Sequence, residues 1–214
     1  MPLVDIEISN HGSFLPDEIN AFLCEADLRV SQFLQSSPRR ATGFVPSDFK
    51  SVYHALKVIT DENLATGTSF CEWGSGFGVV ASLASMLDFM ASGIEIEEEL
   101  VDASRSLAED FGLSLEFVQG SFIPIGGEST LEEAYVDNNA AYSWLITDAE
   151  SGYEKLQIGL DEFDVIFAYP WPGEDYLITS LFEKYAAEGA LLLTYDYPET
   201  VYLRRKQSEP SAGE

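Results

Sequence analysis

The chain has 214 residues, 46% of them hydrophobic, and its 37 Asp and Glu against 11 Lys and Arg leave a formal net charge of −26. The apolar content excludes wholesale disorder, and the length suits one α/β domain with a modest appendage. No stretch approaches the roughly 18 consecutive apolar residues of a membrane span, and the acidic field opposes phosphate backbones, so membrane and nucleic-acid partners are disfavoured.

In chain order, the opening MPLVDIEISN has neither the basic start nor the apolar run of a secretory leader. Residues 14–36 place Leu15, Ile19, Phe22, Leu23, Ala26, Val30, Phe33 and Leu34 at helical spacing, with Asp17 and Glu18 suited to the first turn. A loop punctuated by Pro38, Gly43 and Pro46 follows. A second helix is predicted over 48–60, capped by Ser47 or Asp48, with Phe49, Val52, Tyr53, Leu56 and Ile59 inward.

From residue 68 short apolar runs alternate with helical ones. Strands are predicted at 68–72, 91–96, 115–119, 163–169 and 190–195. Helices are predicted at 79–90, 98–111 and 175–187, the last closed by Gly189. Near-continuous apolar strands alternating with helices predict a doubly wound, mostly parallel sheet, a Rossmann-like α/β fold. Ligands in that architecture bind at the carboxyl ends of the strands, where the strand order reverses. Residues 124–162 are too long for one crossover helix. They carry Gly126-Gly127, Asp137-Asn138-Asn139 and Tyr135, Tyr142, Trp144 and Tyr153. One or two helices are expected there, as a substrate-side insertion or as aromatic packing onto the sheet.

The sharpest motif is CEWGSGFGVV. Gly74, Gly76 and Gly78 follow a strand and open a helix, where glycines allow a tight turn and close approach of a ligand. The spacing is G-x-G-x-G; Val79 stands where a dinucleotide motif has its third glycine. Glu72, two residues before the first glycine, would repel a pyrophosphate and suits a cationic amino group. Glu95 ends the next strand in GIEIEEE, where an acid can accept both hydroxyls of a ribose. Glu97, Glu98 and Glu99 read as the acidic first turn of the following helix.

These motifs, E-x-G-x-G-x-G and G-I-E, with FVPSDFKSVYHAL ahead of them, resemble class I S-adenosylmethionine-dependent methyltransferases, and more loosely the Dot1-type lysine methyltransferases and their bacterial look-alikes. The resemblance covers residues 44–196. It implies that Glu72, Gly74, Ser75, Gly76 and Gly78 sit by the cofactor's methionine end, with Phe44 from the preceding segment. It implies that Glu95 holds the ribose and that Ser121 and Phe122 edge the adenine, with Ser121 where the family often has Asp. It divides the chain into a helical extension (1–43), a methyltransferase domain (44–203) with its insertion, and a disordered polar tail (204–214).

The fourth predicted strand ends in AYPWPGED, where relatives that methylate amino groups of bases or glutamine carry Asn/Asp-Pro-Pro-aromatic. Tyr169 and Trp171 can flank a cationic amine or pack in the core, and Glu174 can pair with that amine or take its proton. Asp175 serves that role or caps the next helix, and TYDYPE brings Tyr195, Asp196 and Tyr197 toward the same cleft. The charge of −26 favours a small amine or a basic protein as partner, or else only solubility or a salty host. His11 and His54 read as structural. Cys24 and Cys71 make neither a disulfide framework nor a metal site, which fits a reducing cytoplasm. A catalytically silent S-adenosylmethionine-binding scaffold is the main alternative. An NAD-dependent oxidoreductase needs the G-x-G-x-x-G that this chain lacks.

Overall fold

The computed structural model describes residues 3–8, 14–36, 45–130, 149–196 and 200–207. Seven strands form one sheet in the order β1-β7-β6-β5-β2-β3-β4. They are β1 (Leu3–Ile6), β2 (Ser69–Trp73), β3 (Met90–Glu95), β4 (Glu116–Gln119), β5 (Val165–Ala168), β6 (Leu191–Asp196) and β7 (Thr200–Lys206). The five from β6 to β4 run parallel, while β7 is antiparallel to both β6 and β1. The expected Rossmann-like sheet is therefore present.

Each central strand is buried along its length, and its alternate side chains feed two cores. Phe70, Val165, Phe167, Leu191 and Leu193 join one face with residues of α1 (Asp17–Ser36), α2 (Phe49–Asp61), α3 (Val79–Ser85) and α4 (Glu98–Asp110). Cys71, Trp73, Ile166, Ala168 and Leu192 join the other with α5 (Gly152–Leu156) and α6 (Asp175–Tyr185). This double burial is why the strands read as unbroken apolar runs.

The local signals explain the helix bounds. Asp48 caps α2, accepting from the Lys50 N–H at 3.1 Å and the Ser51 hydroxyl at 2.6 Å. Helix α3 stops at Ser85, five residues earlier than periodicity predicts, because Asp88 adopts a left-handed φ of 67° and the chain re-enters the sheet at Met90. No described helix is long and apolar enough to cross a membrane.

Two corrections concern the edge. The N-terminal extension is not only helical, since Leu3–Ile6 pairs with Leu203–Lys206. The basic run near the C-terminus is strand up to Lys206 and not tail. Its charges serve as donors to nearby acceptors: Lys206 Nζ donates to the Ala186 carbonyl beyond α6, Arg205 to the Leu64 carbonyl at 2.6 Å, and Arg204 to the Thr179 hydroxyl at 3.1 Å. Of the insertion, Gly152–Leu156 is helical and Leu160–Glu162 a 3-10 turn; Tyr135, Asp137, Asn138, Asn139, Tyr142 and Trp144 lie outside the described residues.

The glycine turn is packed from behind by Phe117 of β4. A Cβ on Gly78 would stand 2.3 Å from that ring and 2.8 Å from Ser104 Cβ, and a Cβ on Gly93 would stand 2.6 Å from the ring. Gly78 also has a φ of 65°. Gly78→Ala therefore combines a left-handed strain with an overlap against a buried ring, and about 2–4 kcal/mol of stability should be lost in urea unfolding. Phe117→Leu in the Gly78→Ala background should recover part of it. An unchanged midpoint in the single variant would show that the packing yields freely.

Candidate functional site

The strand order reverses between β2 and β5. The chain steps outward from β2 to β3 and β4, then returns to β2's other side as β5. Trp73 at the end of β2 lies opposite Ala168 at the end of β5. The glycine turn at 74–78 and the loop at 169–174 are consequently the two walls of the switch point, where this architecture places ligands.

All three glycines of the turn hold positive φ: 66° at Gly74, 53° at Gly76 and 65° at Gly78. The Ile94 carbonyl at the end of β3 accepts from both the Gly74 and Ser75 N–H groups, at 2.9 and 3.0 Å. Gly74 has nothing within 4 Å of the position a Cβ would take. Ser75 is buried, its Cβ 2.8 Å from the place a Gly93 Cβ would occupy, and its hydroxyl has no partner. Phe77 packs edge-on against Phe33 of α1, with ring centroids 5.4 Å apart.

Two buried carboxylates hold this turn. Glu72 is 5% exposed and accepts from the Ala81 N–H in the first turn of α3 at 2.8 Å. Burial pushes its carboxyl up to about 8, against the pull of the Ala81 and Val80 amides and with added repulsion from Glu95. Glu95 is 7% exposed. Its Oε2 accepts from the Gly76 N–H at 2.8 Å, and its Oε1 from Ile96 N–H at 2.7 Å and Glu97 N–H at 3.0 Å. Burial raises the Glu95 carboxyl despite those three donors. Glu95 thus stands at its predicted place, and it also carries a backbone role that spacing alone does not reveal.

Beyond β4 the Ser121 N–H donates to the Glu150 carbonyl at 2.9 Å, and its hydroxyl accepts from the Ile123 N–H at 3.1 Å. Phe122 stacks on Trp73, with centroids 5.2 Å apart and planes 10° from parallel, and Tyr153 donates to the Phe122 carbonyl at 2.8 Å. Trp73 and Tyr153 were not among the predicted site residues. Trp73 sits inside the glycine motif with its side chain on the opposite face from Glu72, which alternation along β2 predicts. Gly120 and Gly152 let the β4 end and α5 meet, since a Cβ on Gly120 would lie 2.8 Å from the Gly152 nitrogen.

On the other wall, Tyr169 packs edge-on against Tyr195 of β6, centroids 5.0 Å apart. Trp171 is half-buried, Pro170 buried, and Pro172 and Gly173 exposed. Glu174, not Asp175, is the residue at the N-terminal boundary of α6, yet its side chain does not cap the helix. Its Oε2 accepts from the Trp171 N–H at 2.8 Å, its Oε1 is buried without a partner, and burial pushes the carboxyl up to about 7. His54, half-buried on α2, is lowered from its ordinary value by burial. Phe44, His11 and Tyr197 lie outside the described residues.

No family model matches this chain, nor does any curated protein. Among solved structures it is similar to an RNA methyltransferase from Salinibacter ruber in complex with S-adenosyl-L-homocysteine, with a TM-score of 0.53 at 18% identity, over 79% of this chain and 99% of that one. An O-methyltransferase from Bacillus cereus gives 0.49 at 14%, over 85% and 67%. A methyltransferase from Thiobacillus denitrificans gives 0.43 at 15%, over 78% of this chain and only 54% of that one. What the chain shares with the Salinibacter protein at this identity is the fold, that of Rossmann-like class I methyltransferases. None of the three names bears on a Dot1-type subgroup.

Two outcomes follow from the carboxylates in the absence of any ligand. Glu95→Ala strands three N–H donors at the base of the turn and should cost about 2–4 kcal/mol in chemical unfolding, with Glu95→Gln costing less; equal stability of all three proteins would remove its structural role. For Glu72, the folded value near 8 lies above the ordinary 4.5. Folding therefore takes up a proton between those values, and stability falls as pH rises through that window. Glu174 acts with the same sign. Glu72→Gln, which keeps an acceptor for Ala81, should flatten the slope by up to ~1.4 kcal/mol per pH unit. Parallel pH–stability curves would place the ionisation elsewhere.

Proposed function

We propose that this chain is an S-adenosylmethionine-dependent methyltransferase that methylates an amine, or another nucleophile, of a cationic small molecule or basic protein. The observation that carries the reading is the glycine turn, held between buried Glu72 and Glu95, with open space above Gly74 where a side chain would otherwise project.

The residues present fit the cofactor. Glu72 and Glu95 are both buried and form no ion pair with Lys or Arg among the described residues. A ligand bearing an ammonium supplies the missing counter-charge, whereas a pyrophosphate would add to the repulsion. Gly74, Ser75, Gly76 and Gly78 would lie along the methionine end, with Glu95 at the ribose and Ser121 and Phe122 at the adenine edge. The Ser121 N–H already donates to Glu150, and its hydroxyl accepts from Ile123, so an adenine contact at Ser121 would use the hydroxyl as donor. When bound, this cofactor supplies a methyl group activated on a sulfonium. The protein's share is alignment of the acceptor and exclusion of water. The loop 169–174 faces the turn across the switch point, so Tyr169, Trp171 and Glu174 are assigned to the acceptor. A polynucleotide acceptor, as the Salinibacter neighbour's name describes for that protein, is opposed here by the charge of −26. Unpaired Cys24 and Cys71 suit a reducing cytoplasm.

Calorimetry should give saturable binding of S-adenosylmethionine and S-adenosylhomocysteine and none of NAD. Gly74→Ala should fold, at a cost of about 1 kcal/mol for its left-handed backbone, and bind the cofactor at least tenfold more weakly, because the methyl fills the open space. NAD binding without either sulfur nucleoside would overturn the reading. Transfer of labelled methyl to a panel of small amines and basic proteins then separates an enzyme from a silent binding scaffold, for which the cofactor binds and no label moves.

A further inference from the structure

Glu174 is a carboxylate whose burial the fold itself does not explain. It is 5% exposed at the N-terminal boundary of α6, but its side chain makes no capping bond to that helix. One oxygen, Oε2, accepts from the Trp171 N–H at 2.8 Å, which shapes the turn 171–174. The other, Oε1, is out of solvent with no donor near it. Buried acceptors without partners are rare and costly, and those that persist call for an occupant. The charged group bearing on it is Asp175, which adds repulsion; among the described residues no Lys, Arg or His contributes. Pro170 and Pro172 restrict the loop leading to it, in which Tyr169 packs edge-on against Tyr195.

We propose that Glu174 Oε1 is the docking point for a primary or secondary ammonium, and that this carboxylate takes a proton from it. The proposal rests on the reading of loop 169–174 as the acceptor side. A lone carboxylate oxygen favours a cation, and an oxygen lacking a donor requires one that carries N–H. A quaternary ammonium satisfies the first demand only. The step balances as R–NH3⁺ plus carboxylate giving R–NH2 plus carboxylic acid: one N–H bond breaks, its electron pair stays on nitrogen as the nucleophilic lone pair, and an O–H bond forms on Glu174. Burial, holding this carboxyl near 7, suits it to exchange that proton close to neutrality.

The test uses the full chain and measures binding, not turnover. Dissociation constants for n-propylammonium and tetramethylammonium are compared by ligand-observed NMR at constant ionic strength, at about pH 8 and about pH 5.5. Tetramethylammonium feels the same overall field but has no N–H. The wild type should prefer propylammonium at least tenfold at the higher pH and lose that preference at the lower. Glu174→Gln, which keeps an acceptor for Trp171 N–H, should lose it at both. If Glu174→Gln misfolds, the pH arm is read in Glu72→Gln, because Glu72 also ionises in this window; a preference lost at low pH there still assigns the change to Glu174. Equal affinity for the two cations, absence of propylammonium binding, or a preference that survives in folded Glu174→Gln would overturn the proposal. S-adenosylmethionine calorimetry on the same samples separates the two readings. Cofactor binding without the N–H preference defeats this inference alone. The preference without cofactor binding defeats the methyltransferase reading and leaves the ammonium site standing.

Discussion

Glu95 is the point through which the glycine turn and the sheet are made one object. A turn with three residues at positive φ leaves its amides pointing outward, without ladder partners. The carboxylate gathers the Gly76 amide from one side and the Ile96 and Glu97 amides from the other. The Ile94 carbonyl does the complementary task, taking the Gly74 and Ser75 amides. The end of β3 thus fixes the path of the chain leaving β2. On the proposed reading, a ribose at Glu95 would meet an acid already engaged with backbone, so its hydroxyls would have to share lone pairs with those amides or displace one, and ligand affinity and loop geometry would be set by the same oxygens.

The three acids at this end of the sheet follow one electrostatic rule. Glu72, Glu95 and Glu174 are each buried and each raised by desolvation, and no cation offsets them among the described residues. Amides hold Glu72 and Glu95 in place without neutralising them. In water such an arrangement costs stability as the groups ionise, which folded proteins tolerate chiefly where function uses it. The net charge of −26, which counts these three acids, gives a long-range field of the same sign, screened beyond about 8 Å at physiological salt. On the proposed reading, a cation would be favoured by that field and by the buried acids once they ionise, whereas a polyanion would be opposed at both ranges.

Much of this was legible in the residues, for reasons that can be stated. The central strands are buried on both faces, so their apolar runs had no competing explanation, and their ends fall within two residues of expectation. Asp48 as a cap and Glu95 at a strand end are positions where chemistry and spacing coincide. The edges were not legible. β1 has four residues, and β7 carries Arg204, Arg205 and Lys206, which composition assigns to solvent; only the fold shows that they satisfy carbonyls and a hydroxyl. Asp175 could be read as a helix cap, yet the boundary falls on Glu174, whose side chain turns back to Trp171. Sequence identifies an acid near a helix start, but not which of its oxygens is left over.

The glycine motif itself divides into two kinds of necessity. Gly78 is required from behind, because Phe117 of β4 occupies the volume its side chain would need, and Gly93 of β3 yields to the same ring. Gly74 is different: among the described residues nothing lies within 4 Å of its missing Cβ, and its φ of 66° is what resists substitution. One motif therefore joins a packing constraint to a vacancy. The packing side pins the turn to β3 and β4, so that the open side keeps its shape before any ligand arrives. If Gly74 receives the cofactor as proposed, that order would lower the entropy cost of binding, because the receiving surface is already fixed by a buried phenylalanine two strands away.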